Sequence, residues 1–231
     1  MNLFKPLLDL FFPPGCVFCA GRVGEGATAL LICSQCLAQV PAPETCCFKC
    51  AQPLAAEQES CPQCSGLTFA FRGACTVHAY RGSVKIAIHN YKYNGRKEMA
   101  RTLGGLMAQQ IRRSGWPKTE AIVPVPLHHS KMLERGYDQA LLLAQVVAAE
   151  LRLPLKTVLQ RKSATPSQTK LFARERWENV SQAFELAPGQ ALPARLLLVD
   201  DLLTTGATAH FATQTLLAGG AKEVYLAVVG R

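Results

Sequence analysis

The chain has 231 residues, 49% of them hydrophobic and 18% charged. That is the balance of a soluble globular protein with room for one full domain and one small one, and it excludes a low-complexity or fibrous chain. The formal net charge of +9 is uneven: residues 1–66 carry −2, the remainder +11, and residues 80–118 alone +8. The second half is therefore expected to meet an anionic partner, against the plainer reading of a solvated basic face.

In chain order, the apolar run Leu7 to Phe12 is interrupted by Asp9 and stopped by Pro13-Pro14. It falls far short of the about 18 residues a membrane helix needs, and no small-residue cleavage site marks it as a signal peptide. No membrane span and a cytoplasmic location are expected.

Four C-x-x-C pairs follow: Cys16/Cys19, Cys33/Cys36, Cys47/Cys50 and Cys61/Cys64. Two residues between cysteines let a tight knuckle turn both sulfurs toward one ion, and two knuckles complete the tetrahedral thiolate shell of structural zinc. A redox motif needs a single pair in a βαβ setting, and disulfides need an oxidising compartment, so metal is the preferred reading. Spacing leaves open whether one ion or two is bound, and whether the pairs combine in sequence or interleave. Two filled sites would bring the segment to about −6, a poor match to nucleic acid. Its expected role is to stabilise a segment too small to fold by core burial alone. Cys46 and Cys75 are left over, Cys75 in a strand-like run from Gly73 to Tyr80.

Residues 83–93 and 97–113 read as helices. Val84, Ala87, Ile88 and Tyr91 keep helical spacing in the first, with Ser83 as N-cap; Met99, Leu103, Leu106, Met107 and Ile111 do so in the second. From residue 121 the pattern alternates: a strand at Ala121-Ile122-Val123, a helix over 136–151, and a short strand near Leu155–Leu159. A polar loop then runs from Arg161 to about Ser181, too long for an ordinary connection. Leu196 to Val199 is an uninterrupted apolar strand, as at the centre of a parallel sheet covered on both faces. A helix over 207–218, ending at Gly219-Gly220, and a strand from Val224 to Val229 complete a doubly wound parallel α/β sheet. Ligand chemistry belongs at the carboxyl ends of such strands.

There the strand delivers Asp200-Asp201, followed by Leu202-Leu203-Thr204-Thr205-Gly206-Ala207-Thr208 and a helix. The helix N-terminus offers unpaired N–H groups and a positive dipole end to a phosphate, the threonines add hydroxyls, and Gly206 permits close backbone approach. Adjacent carboxylates are wrong for phosphate and right for the vicinal hydroxyls of a sugar. No Gly-Lys-Ser/Thr follows, which excludes a P-loop.

This segment resembles the 5-phosphoribosyl-1-pyrophosphate (PRPP) signature of type I phosphoribosyltransferases. Other motifs resemble the ComF/GntX family more narrowly: the four cysteine pairs, Lys92-Tyr93-Asn94-Gly95, Val123-Pro124-Val125-Pro126-Leu127 and Arg135-Gly136-Tyr137-Asp138-Gln139. So does the polar loop, with Arg161, Thr165, Gln168, Leu171, Arg174, Arg176 and Asn179. Asp138 departs from the family, many of whose members carry asparagine there. The resemblance implies a type I phosphoribosyltransferase-like core at 119–231, a basic hood segment at 67–118 and a zinc-ribbon module at 1–66.

It further implies that Asp200 and Asp201 hold the ribose diol, and that Thr204, Thr205, Gly206, Ala207 and Thr208 hold the 5-phosphate. Val125, Pro126 and Arg135 would face the diphosphate, with Lys92 in the hood and Arg161 and Arg174 in a lid. Mg²⁺ would arrive with PRPP, and the expected activity is phosphoribosyl transfer to an unidentified acceptor. A link to natural competence and DNA uptake is implied, with competence or DNA-processing proteins as partners. Tyr80, Tyr91, Tyr93 and Trp116, interleaved among bases, leave direct binding of single-stranded DNA as the alternative, against core packing of the same rings.

Overall fold

The computed structural model describes residues 15–19, 21, 23, 31–39, 45–55, 61–162 and 183–231. The apolar run at residues 7–12 and the loop positions from Thr165 to Asn179, Arg174 among them, lie outside the described residues. Among the described residues no helix is long and apolar enough to cross a membrane.

The elements are α1 (Ser34–Gln39), β1 (Gly73–His78), α2 (Gly82–Tyr93), α3 (Met99–Arg113), β2 (Ala121–Pro124), α4 (His129–Arg135) and α5 (Gln139–Leu151). They continue with β3 (Leu159–Arg161), β4 (Phe184–Leu186), β5 (Arg195–Leu202), α6 (Ala207–Ala218) and β6 (Glu223–Gly230). The main sheet has the order β1-β6-β5-β2, and each neighbouring pair is parallel. β3 and β4 form a separate antiparallel pair.

Strand alternation divides the core. Leu197, Val199, Tyr225, Ala227 and Ile122 face α2, α3 and α5, packing with Ile88, Leu103, Met107 and Leu143. Leu196, Leu198, Val224, Leu226 and Val123 face the other way, against Ala209, Ala212 and Leu216 of α6. A strand buried on both faces reads as an unbroken apolar run, which is why Leu196 to Val199 has no polar alternation.

Several expectations are corrected. Ser83 does not cap α2: the helix starts at Gly82, with extended Arg81 at the N-cap and no side-chain cap bond. The helix expected over 136–151 starts at Gln139, because left-handed Gly136 ends α4 (φ 75°) and Asp138 caps the next helix by accepting from Leu141 N–H at 2.9 Å. The buried apolar face of α5 is Ala140, Leu143, Ala144, Val147 and Ala148. The strand expected over 155–159 is split: Leu155 makes a single parallel bridge with Ile122, and β3 begins at Leu159 in antiparallel register with β4. Three-residue strands are too short to show a period.

Candidate functional site

The cysteine pairs combine in sequence. Cys16, Cys19, Cys33 and Cys36 form one cluster and Cys47, Cys50, Cys61 and Cys64 a second, with the sulfurs of each within 4.8 Å of one another. A zinc–sulfur bond of about 2.3 Å puts tetrahedral sulfurs about 3.8 Å apart. Cys19 and Cys33 lie at 3.8 Å, and Cys47/Cys64 and Cys50/Cys61 at 3.6 Å, so both sets fit that shell. Backbone N–H groups of Gly21, Cys33 and Cys36 each donate to a sulfur at 3.4 Å, as tight knuckles require. The first cluster shares the main core, with Cys16, Val17, Phe18 and Cys36 buried beside the α2–α3 side of the sheet. The second forms a small cluster of its own against Leu54 and Phe69. Cys46 and Cys75 join neither; both line a separate cavity with Phe48 and Trp116.

At the carboxyl end of β5 the two aspartates continue the strand's alternation. Asp201 falls on the Leu197/Val199 side and meets α2: Lys92 Nζ lies 2.8 Å from Asp201 Oδ1. Asp200 falls on the α6 side, and its Oδ1 accepts from the Asp201 N–H at 2.8 Å. Burial first, then the Asp201 carboxylate, pushes the Asp200 carboxyl up to about 7. Burial of the Lys92 ammonium works downward, but Asp201 and Asp200 outweigh it, and its pKa is raised.

A cleft of about 210 Å³ opens beside this pair. It brings together Lys92, Val125, Pro126, Arg135, Arg161, Asp200, Asp201, Thr204 and Thr208 of the expected site, from five separate stretches of chain. Thr205 and Gly206 instead line a narrow recess of about 20 Å³ beneath the loop, shared with Asp200, Thr204 and Thr208. Ala207 is buried as the first residue of α6, and its N–H lies 3.4 Å from Thr205 Oγ1. Gly206, at the N-cap with a left-handed φ of 87°, makes no side-chain cap bond of its own, and of the first-turn amides Ala207 N–H is the one turned to Thr205 Oγ1. That leaves the other amides of the turn available to an anion.

Two residues of the cleft were not expected to contact a ligand. Asp138, besides capping α5, accepts from Leu127 N–H at 3.2 Å and ties the β2–α4 loop to the α5 N-terminus. Burial raises its pKa, the Leu141 and Leu127 N–H groups acting against it. Gln139 is 1% exposed, and its Oε1 accepts from Arg135 Nη1 at 3.0 Å. Arg135 Nε and Arg161 Nε are buried and have no acceptor among the described residues. Arg135 and Arg161 put two cations on the walls of the cleft, a lining that suits an anionic ligand. The readable signal for Asp138 was an aspartate directly ahead of an apolar helical run; the burial of Gln139 depends on tertiary packing.

The aromatic and basic residues around the cleft separate into contact and packing roles. Tyr91 is fully buried, so it is core. Trp116 stacks on Tyr225, with centroids 4.9 Å apart. Tyr93 is 54% exposed, and the Arg135 guanidinium lies 5.2 Å from its ring centroid. Arg96 pairs with exposed Glu98, Arg101 is exposed, and His128 serves as the N-cap of α4.

Fold and site together define a type I phosphoribosyltransferase-like α/β unit joined to a double zinc ribbon. Residues 7–65 match the double zinc ribbon domain family. The chain is 31% identical over 221 residues to competence protein F of Haemophilus influenzae, covering 93% of this chain and 95% of that one. It is 32% identical over 199 residues to DNA utilization protein YhgH of Salmonella typhi, covering 84% and 87%. Among solved structures it resembles the glutamine PRPP amidotransferase of B. subtilis, at 20% identity and a TM-score of 0.42, over 61% of this chain and 30% of that one. The chain belongs to the ComF/GntX family.

Proposed function

We propose that this protein binds PRPP with Mg²⁺ in the cleft at the carboxyl end of β5 and transfers its ribose 5-phosphate to an acceptor. The observation that carries the reading is the cleft's polarity: Asp200 and Asp201 supply acceptors for a diol, and Lys92, Arg135 and Arg161 set cations on the same walls. PRPP presents both complements in one molecule. In this reading the loop Thr204 to Thr208, with the amide end of α6, takes the 5-phosphate. Arg135 and Arg161 answer the diphosphate.

Two carboxylates plus ligand phosphates are an ordinary donor set for Mg²⁺, which would neutralise charge on the departing diphosphate. The chain's own residues act by position and charge. The aspartates orient the ribose, the buried guanidiniums stabilise the leaving oxygens, and the walls of the cleft exclude water from the cationic sugar carbon. No protein nucleophile is required. The relatives' names support a role in DNA uptake or utilisation, and two four-cysteine clusters in metal-binding arrangement suit the reducing setting of a cytoplasm.

The test is thermal stabilisation of the zinc-loaded protein by PRPP with Mg²⁺, set against ribose 5-phosphate and nucleotides. A shift specific to PRPP, lost in Asp200→Asn and Asp201→Asn, is expected; no shift with a folded sample overturns the reading. A second reading, in which the chain engages single-stranded DNA without turnover, draws on exposed Tyr80 and Tyr93 beside the bases Arg81 and Arg96. It predicts salt-sensitive binding that survives both aspartate changes and fails on charge reversal in residues 80–118.

A further inference from the structure

Arg231 joins two regions that lie far apart in sequence. Its Nε donates to the carbonyl of Cys50 at 2.9 Å, and its Nη1 donates to Leu203 O at 3.1 Å and to Thr204 O. Cys50 belongs to the second four-cysteine cluster; Leu203 and Thr204 open the hydroxyl loop. The main chain of Arg231 is fixed in turn, its N–H to His78 O at 3.2 Å and its carbonyl to Tyr80 N–H at 2.7 Å. The guanidinium therefore acts as a strut on a fixed base.

A second connection runs beside it. Phe69 packs on the second cysteine cluster and stacks on Phe71 with centroids 4.8 Å apart. Its ring also closes on the loop so tightly that a Cβ at Gly206 would come within 2.4 Å of it. The next residue, Ala70, donates its N–H to His210 Nδ1 of α6 at 3.1 Å. The loop is thus supported from the cysteine cluster at Leu203 and Thr204 by the strut, at Gly206 by the ring, and one turn into α6 by the Ala70 bond.

The second cluster has little core of its own: four cysteines, with Leu54 and Phe69 against them. Such a segment keeps its shape through metal–sulfur bonds, because apolar burial alone is too small to hold it. The Cys47–Ala51 turn, with Ala51 at a left-handed φ of 58°, places the Cys50 carbonyl that Arg231 uses. Whatever fixes that turn fixes the far end of the strut.

We infer that the Cys47/Cys50/Cys61/Cys64 site positions the phosphate loop: metal loading there sets the order of residues 203–208 through Arg231 and Phe69. Resting on the phosphoribosyl reading of that loop, the same connection makes metal and ligand cooperate, and by linkage each raises the other's affinity by the same factor. Arg231 is a positioning residue; it reaches the ligand only through the backbone it holds.

The experiment compares amide hydrogen exchange across residues 203–208 in the full chain loaded with zinc and in Cys61→Ser/Cys64→Ser. Arg231→Ala and Phe69→Ala accompany it, because they leave all eight cysteine ligands in place. Faster exchange at 203–208 is expected in all three variants, with zinc content unchanged in the latter two and the main thermal transition unchanged in Arg231→Ala. PRPP with Mg²⁺ is then added. In the wild type it should slow zinc transfer from the second site to a chromogenic chelator, and in Arg231→Ala its affinity should fall about ten-fold and that slowing vanish. Unchanged exchange at 203–208 in folded variants overturns the inference. Faster exchange in the variants, together with no PRPP binding to the wild type, keeps the positioning role and removes the phosphoribosyl reading.

Discussion

Lys92 Nζ and Asp201 Oδ1 sit 2.8 Å apart where the last turn of α2 meets the end of β5, both side chains largely buried. The contact is built from both sides. Strand alternation turns Asp201 toward α2, and the α2 end is clamped by Tyr91 Oη donating to Gln139 O at 2.9 Å and by Tyr137 Oη donating to Tyr91 O. One charge without the other would be stranded in a poorly solvated place. Lys92→Met is therefore expected to destabilise the protein by about 3–5 kcal/mol, and adding Asp201→Asn to recover most of it. Urea denaturation of the four members of the cycle measures this. Additive single effects would mean the pair contributes no coupling.

Asp200 has the opposite character. Its carboxyl is pushed up to about 7, by burial first and the neighbouring carboxylate second. A folded-state value above the unfolded one means that the protonated form favours folding. Stability contributed by that proton is present below about pH 4 and is lost as pH rises toward 7. Asp200→Asn removes the penalty, so at pH 7.5 the unliganded variant should be more stable by on the order of 1–3 kcal/mol. The same change should abolish stabilisation by PRPP, because an ionised acceptor for the diol is gone. Denaturation midpoints at pH 5 and pH 7.5 test the sign; a variant less stable than wild type at pH 7.5 contradicts it.

The parts of this site that sequence made legible are those whose cause is local. Leu196 to Val199 shows its two-sided burial as an unbroken apolar run. The helix over 207–218 is bracketed by Gly206 and Gly219, and α2 keeps Val84, Ala87, Ile88 and Tyr91 on one face. The seven residues of α4 include no buried position, so no period marks them. Nor could spacing decide which cysteine pairs combine, since sequential and interleaved knuckles share one pattern. Gln139 was unreadable for a further reason. Its burial and its contact with Arg135 are set by what the rest of the fold brings near it, and that is a property of the assembled cleft.

At Gly206 two constraints coincide. Its φ of 87° is the left-handed region, and a Cβ there would meet the Phe69 ring at 2.4 Å. The backbone part of Gly206→Ala should cost about 1–2 kcal/mol, and the collision adds about 1–3 kcal/mol if the ring cannot move. Phe69→Ala in the same chain relieves the second part and leaves the first. A double variant as unstable as the sum of its single changes would show that ring and loop are not in conflict. PRPP binding should be lost in Gly206→Ala, since the loop must shift to admit the methyl group.

The two metal sites should differ in what their loss does to the whole molecule. Cys16 and Cys36 are buried in the same core as Val17, Phe18, Ile88, Leu103 and the sheet, so releasing metal there opens the main core to relaxation. The second cluster is a smaller patch with Leu54 and Phe69, meeting the α6-side core through Phe69 and Ala51 rather than sharing its sulfurs with it. Cys16→Ser is therefore expected to lower the main calorimetric transition by about 10 °C, taking a loss of roughly 4 kcal/mol and the 2–4 °C per kcal/mol typical of this chain length. Cys64→Ser should leave that transition within a few degrees while disturbing residues 203–208 locally. If Cys16→Ser instead produced a separate low-temperature transition with the main one unmoved, the first cluster would be an independent folding unit. Its burial against α2 and α3 would then contribute little to holding the sheet together, and the four sulfurs would stabilise only their own knuckles.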